Sequence, residues 1–320
     1  MNDPAATIID IEEQRNWLID HKVATGASWS ELARRTDVAS GTLSQFGSVK
    51  GYTGDESKPA EAVYRFRQTL IAQAHIEIEA PEIPGYFETE TSRQLGHMLR
   101  MAQRGRIVVA ALGAGLGKSM SARHHAACFS NVSLATMSPS TAGVNNMQIE
   151  VLEALGERDA AGTPQKLSRR IRERVKDTKN ALIIIDEAQH LSEKAFEEIR
   201  SWNDAVGVGI ALFGNESVMQ RLEGGNRRAA FAQIFSRVAL RLVRSSPLAG
   251  DADALADAWG IHDSATTVFL RKIVMTPGGL RGGTMALELG SMIAASEGRE
   301  LMPEHLQDAW AQLSSRPVVS

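Results

Sequence analysis

Residues Val108–Ser119 read VVAALGAGLGKS: an apolar run, a glycine-rich turn, then a lysine and a hydroxyl residue. That order suits phosphate binding, in which loop amides point inward and a helix N-terminus completes the cradle. Gly113, Ala114, Gly115, Leu116, Gly117, Lys118, Ser119 and Met120 would line it. Gly115 and Gly117 let backbone approach phosphate, Lys118 would reach the β- and γ-phosphates of ATP, and Ser119 would ligate Mg²⁺. The spacing G-x-x-x-x-G-K-[ST] puts Leu112 where the first glycine is expected, and Gly113 supplies flexibility one residue later. Taken alone, the loop also fits a structural glycine turn.

A second stretch, ALIIIDEAQH, ends an apolar run in Asp186 and Glu187, about seventy residues after Lys118. Acids there suit magnesium ligation by Asp186 and water activation by Glu187. A lone acid pair is otherwise read as a helix cap with an acidic first turn. With both motifs in this order, the phosphate-site reading is preferred. The next apolar run ends in ALFGNES, where Asn215 is placed to orient water or sense the γ-phosphate, or to cap a turn. Arg237 precedes the last run, VALRLV, where an arginine at a subunit boundary can stabilise transition-state charge in a neighbour. Arg281, in PGGLR, stands near a helix start where it could lean over the same phosphates. The plain alternatives are a surface arginine for Arg237 and a dipole-neutral turn residue for Arg281.

These residues require an α/β frame. Short β-branched runs (RIVVAAL, NVSLATM, ALIIID, GIALFG, VALRLV) alternate with helical stretches, which predicts a five-stranded parallel sheet with flanking helices. Open α/β sheets bind ligands at the carboxyl ends of their strands, so the loop and the acid pair converge on one crevice. The expected divisions are an N-terminal helical domain over 1–78, a proline-stiffened linker over 79–88, a nucleotide-binding core over 89–246 and a C-terminal helical lid over 247–320.

The 320 residues are 43% hydrophobic and 23% charged, with a net charge of −3 and one cysteine, Cys128. This is ordinary globular composition. A lone cysteine fits a reducing compartment, and no apolar run approaches the ~18–20 residues that span a bilayer. No signal-peptide pattern is apparent, so a cytoplasmic protein without membrane contact is expected.

Local charge differs from the average. KLSRRIRERVK would bury Leu167, Ile171 and Val175 and expose Lys166, Arg169, Arg170 and Lys176 to grip DNA phosphates, unless it is only a solvated helix face. The stretch Arg221–Arg244 holds six arginines against Glu223. SWSELARRTDVASGTLSQF has a helix-turn-helix pattern with Leu32, Ala33, Val38, Leu43 and Phe46 as its core. Ser44 and Gln45 of its second helix could touch DNA, with Lys50 and Lys58 nearby, though a small protein-contact fold explains the same pattern.

Together these residues resemble the AAA+ ATPases. Gly115, Gly117, Lys118 and Ser119 look like Walker A, Asp186 and Glu187 like Walker B, Asn215 like sensor 1, Arg237 in FSRVALRL like an arginine finger and Arg281 like sensor 2. Over almost the whole chain the sequence is similar to the phage Mu transposition protein B family, through LIIIDEAQHL, LFGNESV, GGNRRAAFAQIFSRVALR, ADAWGI and PGGLR. Leu112 is the main departure and bears on hydrolysis rate. The resemblance implies a P-loop AAA+ core between an N-terminal helix-turn-helix domain and a C-terminal helical lid. It also implies an ATPase that forms helical filaments on double-stranded DNA without sequence preference. Such a protein captures target DNA for a DDE-type transposase, stimulates strand transfer and confers target immunity through hydrolysis, in a bacterial or phage-infected cell. Alternatives are a helicase-loader-like AAA+ ATPase and a helix-turn-helix regulator with an ATP switch. Arg227, Arg228 and Arg237 are all candidates to reach across a subunit boundary.

Overall fold

A computed structural model describes residues 9–48, 52–79, 81–223 and 236–314. The chain divides into two compact units, Met1–Pro81 and Glu82–Ser320.

The first unit is helical: α1 (Ile11–Thr25), α2 (Trp29–Thr36), α3 (Ser40–Phe46) and α4 (Ser57–Glu79). Asp10 caps α1 by accepting from the Glu13 amide, and Gly26 ends it in the left-handed region at φ 67°. Ser28 caps α2 in the same way. Asp37, at φ 57°, turns the chain from α2 into α3, a conformation that Asp tolerates better than bulky residues. Leu18, Leu32, Leu43, Phe46 and Val63 are fully buried, with Ala33 and Val38 packed against them. The expected helix-turn-helix core therefore forms, with α4 as an added wall.

The second unit is built on five parallel strands, β1 (Ile107–Leu112), β2 (Val132–Thr136), β3 (Leu182–Asp186), β4 (Gly209–Gly214) and β5 (Val238–Arg244), in the order β2-β3-β4-β1-β5. The strands β1, β3 and β4 are buried along their whole length, which is why they read as unbroken apolar runs. Their side chains alternate between two layers. Val109, Ile183, Ile185 and Leu212 face α7 (Val144–Ala154), α8 (Pro164–Val175) and α9 (Glu193–Val206). Val108, Ala110, Leu112, Ile184 and Phe213 face α5 (Glu90–Ala102) and α6 (Lys118–Cys128). The short helix α10 (Glu216–Glu223) follows β4.

Beyond β5, the helices α11 (Ala249–Ala258), α12 (Ser264–Val274), α13 (Gly279–Ser296) and α14 (Pro303–Ser314) bury Leu255, Leu270, Val274, Leu287 and Leu306 in a separate cluster. Their attachment to the core is partly apolar, through Phe87, and partly polar. Asp251, fully buried, accepts from the amide of Thr91 at 2.8 Å and from that of Leu248 at 2.9 Å. Arg244 donates to Thr91 Oγ1 at 2.9 Å and to Gln94 Oε1 at 2.8 Å, so the end of β5 and the starts of α5 and α11 share one network.

Candidate nucleotide site

The phosphate loop runs from the end of β1 to α6. Leu112 is not part of its mouth. It is the last residue of β1, paired with Arg244 and fully buried against the α5 and α6 layer. Gly113 follows, donating its amide to the Arg244 carbonyl at 2.8 Å, and a Cβ there would collide with the Ser245 carbonyl oxygen. The glycine at 113 thus supplies room for a backbone contact, rather than the flexibility expected of it. Gly115 and Gly117 have φ of 76° and 79°, the left-handed conformation that glycine adopts without strain.

Gly117 stands before the first turn of α6 without a side-chain cap, so the orphan amides of that turn face the loop. Lys118 Nζ donates to the carbonyls of Leu112 at 2.7 Å and Gly113 at 3.0 Å, which draws the ammonium into the loop. Burial pulls its pKa below the usual lysine value. Glu187 and Asp186 oppose that shift, and Arg281 adds to it.

The crevice beside the loop is a pocket of about 480 Å³. Six predicted loop residues line it, Ala114, Gly115, Leu116, Gly117, Lys118 and Ser119, and Met120 joins them with about half its surface exposed. Glu187, Asn215 and Arg281 reach the same pocket from three other elements. Gly113 and Asp186 do not line it. Asp186 lies beneath, 2% exposed, its Oδ1 accepting the Glu187 amide at 2.9 Å. Leu116 is also mainly structural, since its side chain is buried in the sheet layer.

Glu187 has a left-handed backbone, φ 54° and ψ 36°, uncommon for a long side chain and typical of functional sites. Asn215 Oδ1 accepts from the Ser217 amide at 3.0 Å and from Ser217 Oγ at 2.5 Å, so its carbonyl oxygen serves as the turn cap that opens α10.

The lid closes the site through backbone. The Leu280 amide donates to the Gly115 carbonyl at 2.9 Å, and a Cβ on Gly115 would collide with the Gly278 carbonyl oxygen. This contact brings Arg281, on the first turn of α13, over the loop. The far wall comes from Ile83–Phe87, assigned from sequence to a linker, and from Thr284 and Met285 of α13. Tyr86 stacks on His124 of α6, with centroids 3.6 Å apart and planes 6° apart.

Other candidates lie elsewhere. Arg237 precedes β5 at the amino-terminal edge of the sheet, and its Nε donates to Asp204 Oδ1 of α9 at 2.6 Å. On α8, Leu167, Ile171 and Val175 are buried, and Lys166, Arg169 and Lys176 are exposed. Arg170 departs from expectation. It is half-buried, ion-paired with Glu157, and donates to the Ala161 carbonyl at 3.0 Å, because the turn between α7 and α8 folds back over it. Ser44 and Gln45 belong to the first unit, half-buried and exposed respectively. Lys50, Arg227 and Arg228 lie outside the described residues.

Sequence reasoning did not single out Gln189, Tyr86 or Asp204. The polar residue in DEAQ and the aromatic pair in PGYF were the available signals. Among the described residues, no group of three or more His, Cys, Asp or Glu side chains could hold a metal ion, and no helix is long and apolar enough to cross a membrane.

Known proteins place this arrangement. Residues 100–222 match the AAA domain family, and residues 236–313 match the family described as Mu B transposition protein, C terminal. The chain is 32% identical over 307 residues to the ATP-dependent target DNA activator B of Escherichia phage Mu, covering 96% of each. It is 32% identical over 269 residues to the Mu-like prophage FluMu DNA transposition protein B of Haemophilus influenzae, covering 83% of this chain and 92% of that one. Among solved structures, Cdc6p from Pyrobaculum aerophilum superposes with a TM-score of 0.52 at 14% identity, covering 73% of this chain and 69% of that chain, a likeness of fold. With a parallel P-loop sheet, a lid hydrogen-bonded to its phosphate loop and relatives matched over 83–96% of its length, this chain belongs to the Mu B transposition protein family and carries an AAA domain.

Proposed function

We propose that this protein is an ATPase that assembles on double-stranded DNA when ATP is bound, without reading sequence, and presents that DNA as target to a DDE-type transposase. The observation that carries the reading is the convergence of Lys118, Glu187, Asn215 and Arg281 on one pocket beside a glycine-lined loop. The names of the relatives, an ATP-dependent target DNA activator and a DNA transposition protein, support the same assignment.

The residues fit a magnesium triphosphate. The two left-handed glycines and the uncapped start of α6 suit an anion, and the Lys118 ammonium offsets its charge. Mg²⁺ keeps several waters and takes few protein ligands, so the Ser119 hydroxyl would hold it beside the phosphates and Asp186, buried beneath the pocket, would reach it through those waters. When bound, the ion neutralises phosphate charge. Glu187 takes the proton of the attacking water, and Arg281 stabilises the phosphates from the lid.

Arg237 acts on a neighbouring copy. It stands seven residues before Gly113's hydrogen-bonding partner Arg244, roughly 23 Å along the strand at ~3.3 Å per residue, beyond side-chain reach of its own loop. Lys166, Arg169 and Lys176 share one face of α8 and its C-cap, which Glu173 also occupies, and, having no ion-pair partner among the described residues, grip DNA phosphates through the backbone of the duplex. Arg170 contributes less, since Glu157 compensates its charge.

Electron microscopy of the protein with random-sequence duplexes tests this. ATP-dependent coating by the wild type, absent in Lys118→Ala, is the expected result. Coating that persists in Lys118→Ala, or binding confined to one operator sequence, overturns it. Preference for single strands together with a replicative helicase would instead indicate a helicase loader.

A further inference from the structure

The turn after β3 contains Gln189, which links two parts of the pocket that the sequence presents separately. It lines the pocket from the 3₁₀ turn Ala188–His190. Its Nε2 donates to Glu187 Oε2, and its Oε1 accepts the backbone amide of Asn215 at 3.3 Å. The two partners fix the orientation of the amide, because the carboxylate needs a donor and the peptide N–H needs an acceptor.

The end of β4 is shaped to admit this side chain. A Cβ on Gly214 would stand 2.5 Å from Val218 Cγ2, 2.6 Å from Gln189 Oε1 and 3.4 Å from the Gln189 backbone nitrogen, so glycine at 214 leaves room for both side chains. One side chain therefore spans from the acid at the end of β3 to the polar residue at the end of β4.

We propose that Gln189 is a positioning residue for hydrolysis, which clamps the Glu187 carboxylate to the end of β4 and makes the proton acceptor and the Asn215 segment one unit. The inference rests on the reading that Glu187 takes the proton from water. Glu187 needs such a clamp because its backbone is already in an uncommon conformation and its side chain is half-exposed in the pocket wall. Water attacks the terminal phosphorus, the bond to the ADP oxygen breaks, and the proton passes to the carboxylate that Gln189 orients. A shorter Asn would not reach both partners. A Glu would set two carboxylates together and remove the donor.

The test compares Gln189→Met, of similar volume, with wild type in full-length protein. The expected result is a loss of kcat of roughly tenfold or more, the scale for a mispositioned catalytic group, with KM and the Kd for ATPγS within about threefold because uniform binding is untouched. Coating of duplex DNA with ATPγS should persist. If Gln189→Met is poorly folded, judged by its melting temperature, Gln189→Ala carries the same measurements.

A second readout needs no turnover. In the protein without nucleotide, Glu187→Ala should shift the NMR resonances of the Gln189 side-chain amide and of the Asn215 backbone amide. The shift at Asn215 should vanish when Gln189→Met is also present.

A kcat within twofold of wild type, a parallel loss of ATPγS affinity, or no coupling to Asn215 would overturn the proposal. Glu187→Gln separates the two levels. If that variant still hydrolyses ATP, the assignment of Glu187 itself fails. If it is inactive while Gln189→Met behaves as wild type, only the clamp fails.

Discussion

The carboxyl end of the sheet and the N-terminal helical unit are both made of short segments around a buried core, yet they differ in what the residue types must satisfy. At the sheet end, backbone does the work. Gly113 and Gly115 stand where a Cβ would strike a carbonyl oxygen, and Gly115 and Gly117 are left-handed. In the helical unit, the second helix of the helix-turn-helix places Leu43 and Phe46 inside and shows solvent only neutral groups such as Ser44 and Gln45. Residues 1–79 hold eight Lys and Arg against twelve Asp and Glu, so this unit is acidic on average. A phosphate cradle leaves a signature in glycine spacing, whereas a small helical domain specifies little beyond its own packing.

The sharpest way to break that contrast is Gly115→Ala. The new Cβ meets the Gly278 carbonyl and the backbone must leave φ 76°. ATP binding, followed by a fluorescent analogue, should be lost, with the lid detached in protease mapping. Restoring the usual spacing with Leu112→Gly tests whether the departure matters. Since Leu112 is fully buried, stability in urea should fall by about 3–5 kcal/mol, the range for large core truncations, and hydrolysis should not rise.

A third effect concerns His125 on α6, which burial, helped by the charges of Arg100 and His124, pushes down to about 4. A group neutral in the fold and charged when unfolded loses stability as pH falls. The loss begins near the ordinary histidine value of ~6.5 and is complete below about 4. Between pH 7.5 and pH 5 it should amount to no more than ~2 kcal/mol, read as the difference between wild type and His125→Gln in unfolding at those two pH values.

The proposed DNA surfaces give smaller changes. Lys166→Glu with Arg169→Glu should lower the slope of log affinity against log salt by roughly two, at ~0.9 per phosphate contact. Ser44→Ala with Gln45→Ala should leave that slope unchanged, and a drop equal to the α8 variant's would move the main DNA surface to the first unit. The smallest expectation is Gly41→Ala in α3, where a Cβ meets nothing within 4 Å. It should stabilise that unit by up to ~1 kcal/mol, the opposite outcome to Gly115.

Much of the core was legible because its signals are local. The runs IVVAAL, LIIID and GIALFG are buried on both faces, so composition alone marks them as strands of a parallel sheet. Lys118, Glu187 and Asn215 follow or end those strands, so their convergence followed from topology. Arg170 was misread because its exposure depends on Glu157, thirteen residues away across a turn. Gly113 was given the wrong reason because the Ser245 carbonyl that it accommodates lies at the far end of β5.

The amino-acid order by itself determined the strand runs, the phosphate loop and the acid pair, because each depends on spacing within one strand-to-loop segment. Folding alone decided that Ile83–Phe87 walls the pocket, that the α13 backbone bonds to the loop, that Gln189 spans β3 to β4, and that Arg237 faces Asp204 far from its own phosphate loop. Those are contacts between groups distant in sequence or pointing across an edge, and their partners exist only once the sheet has set the elements side by side.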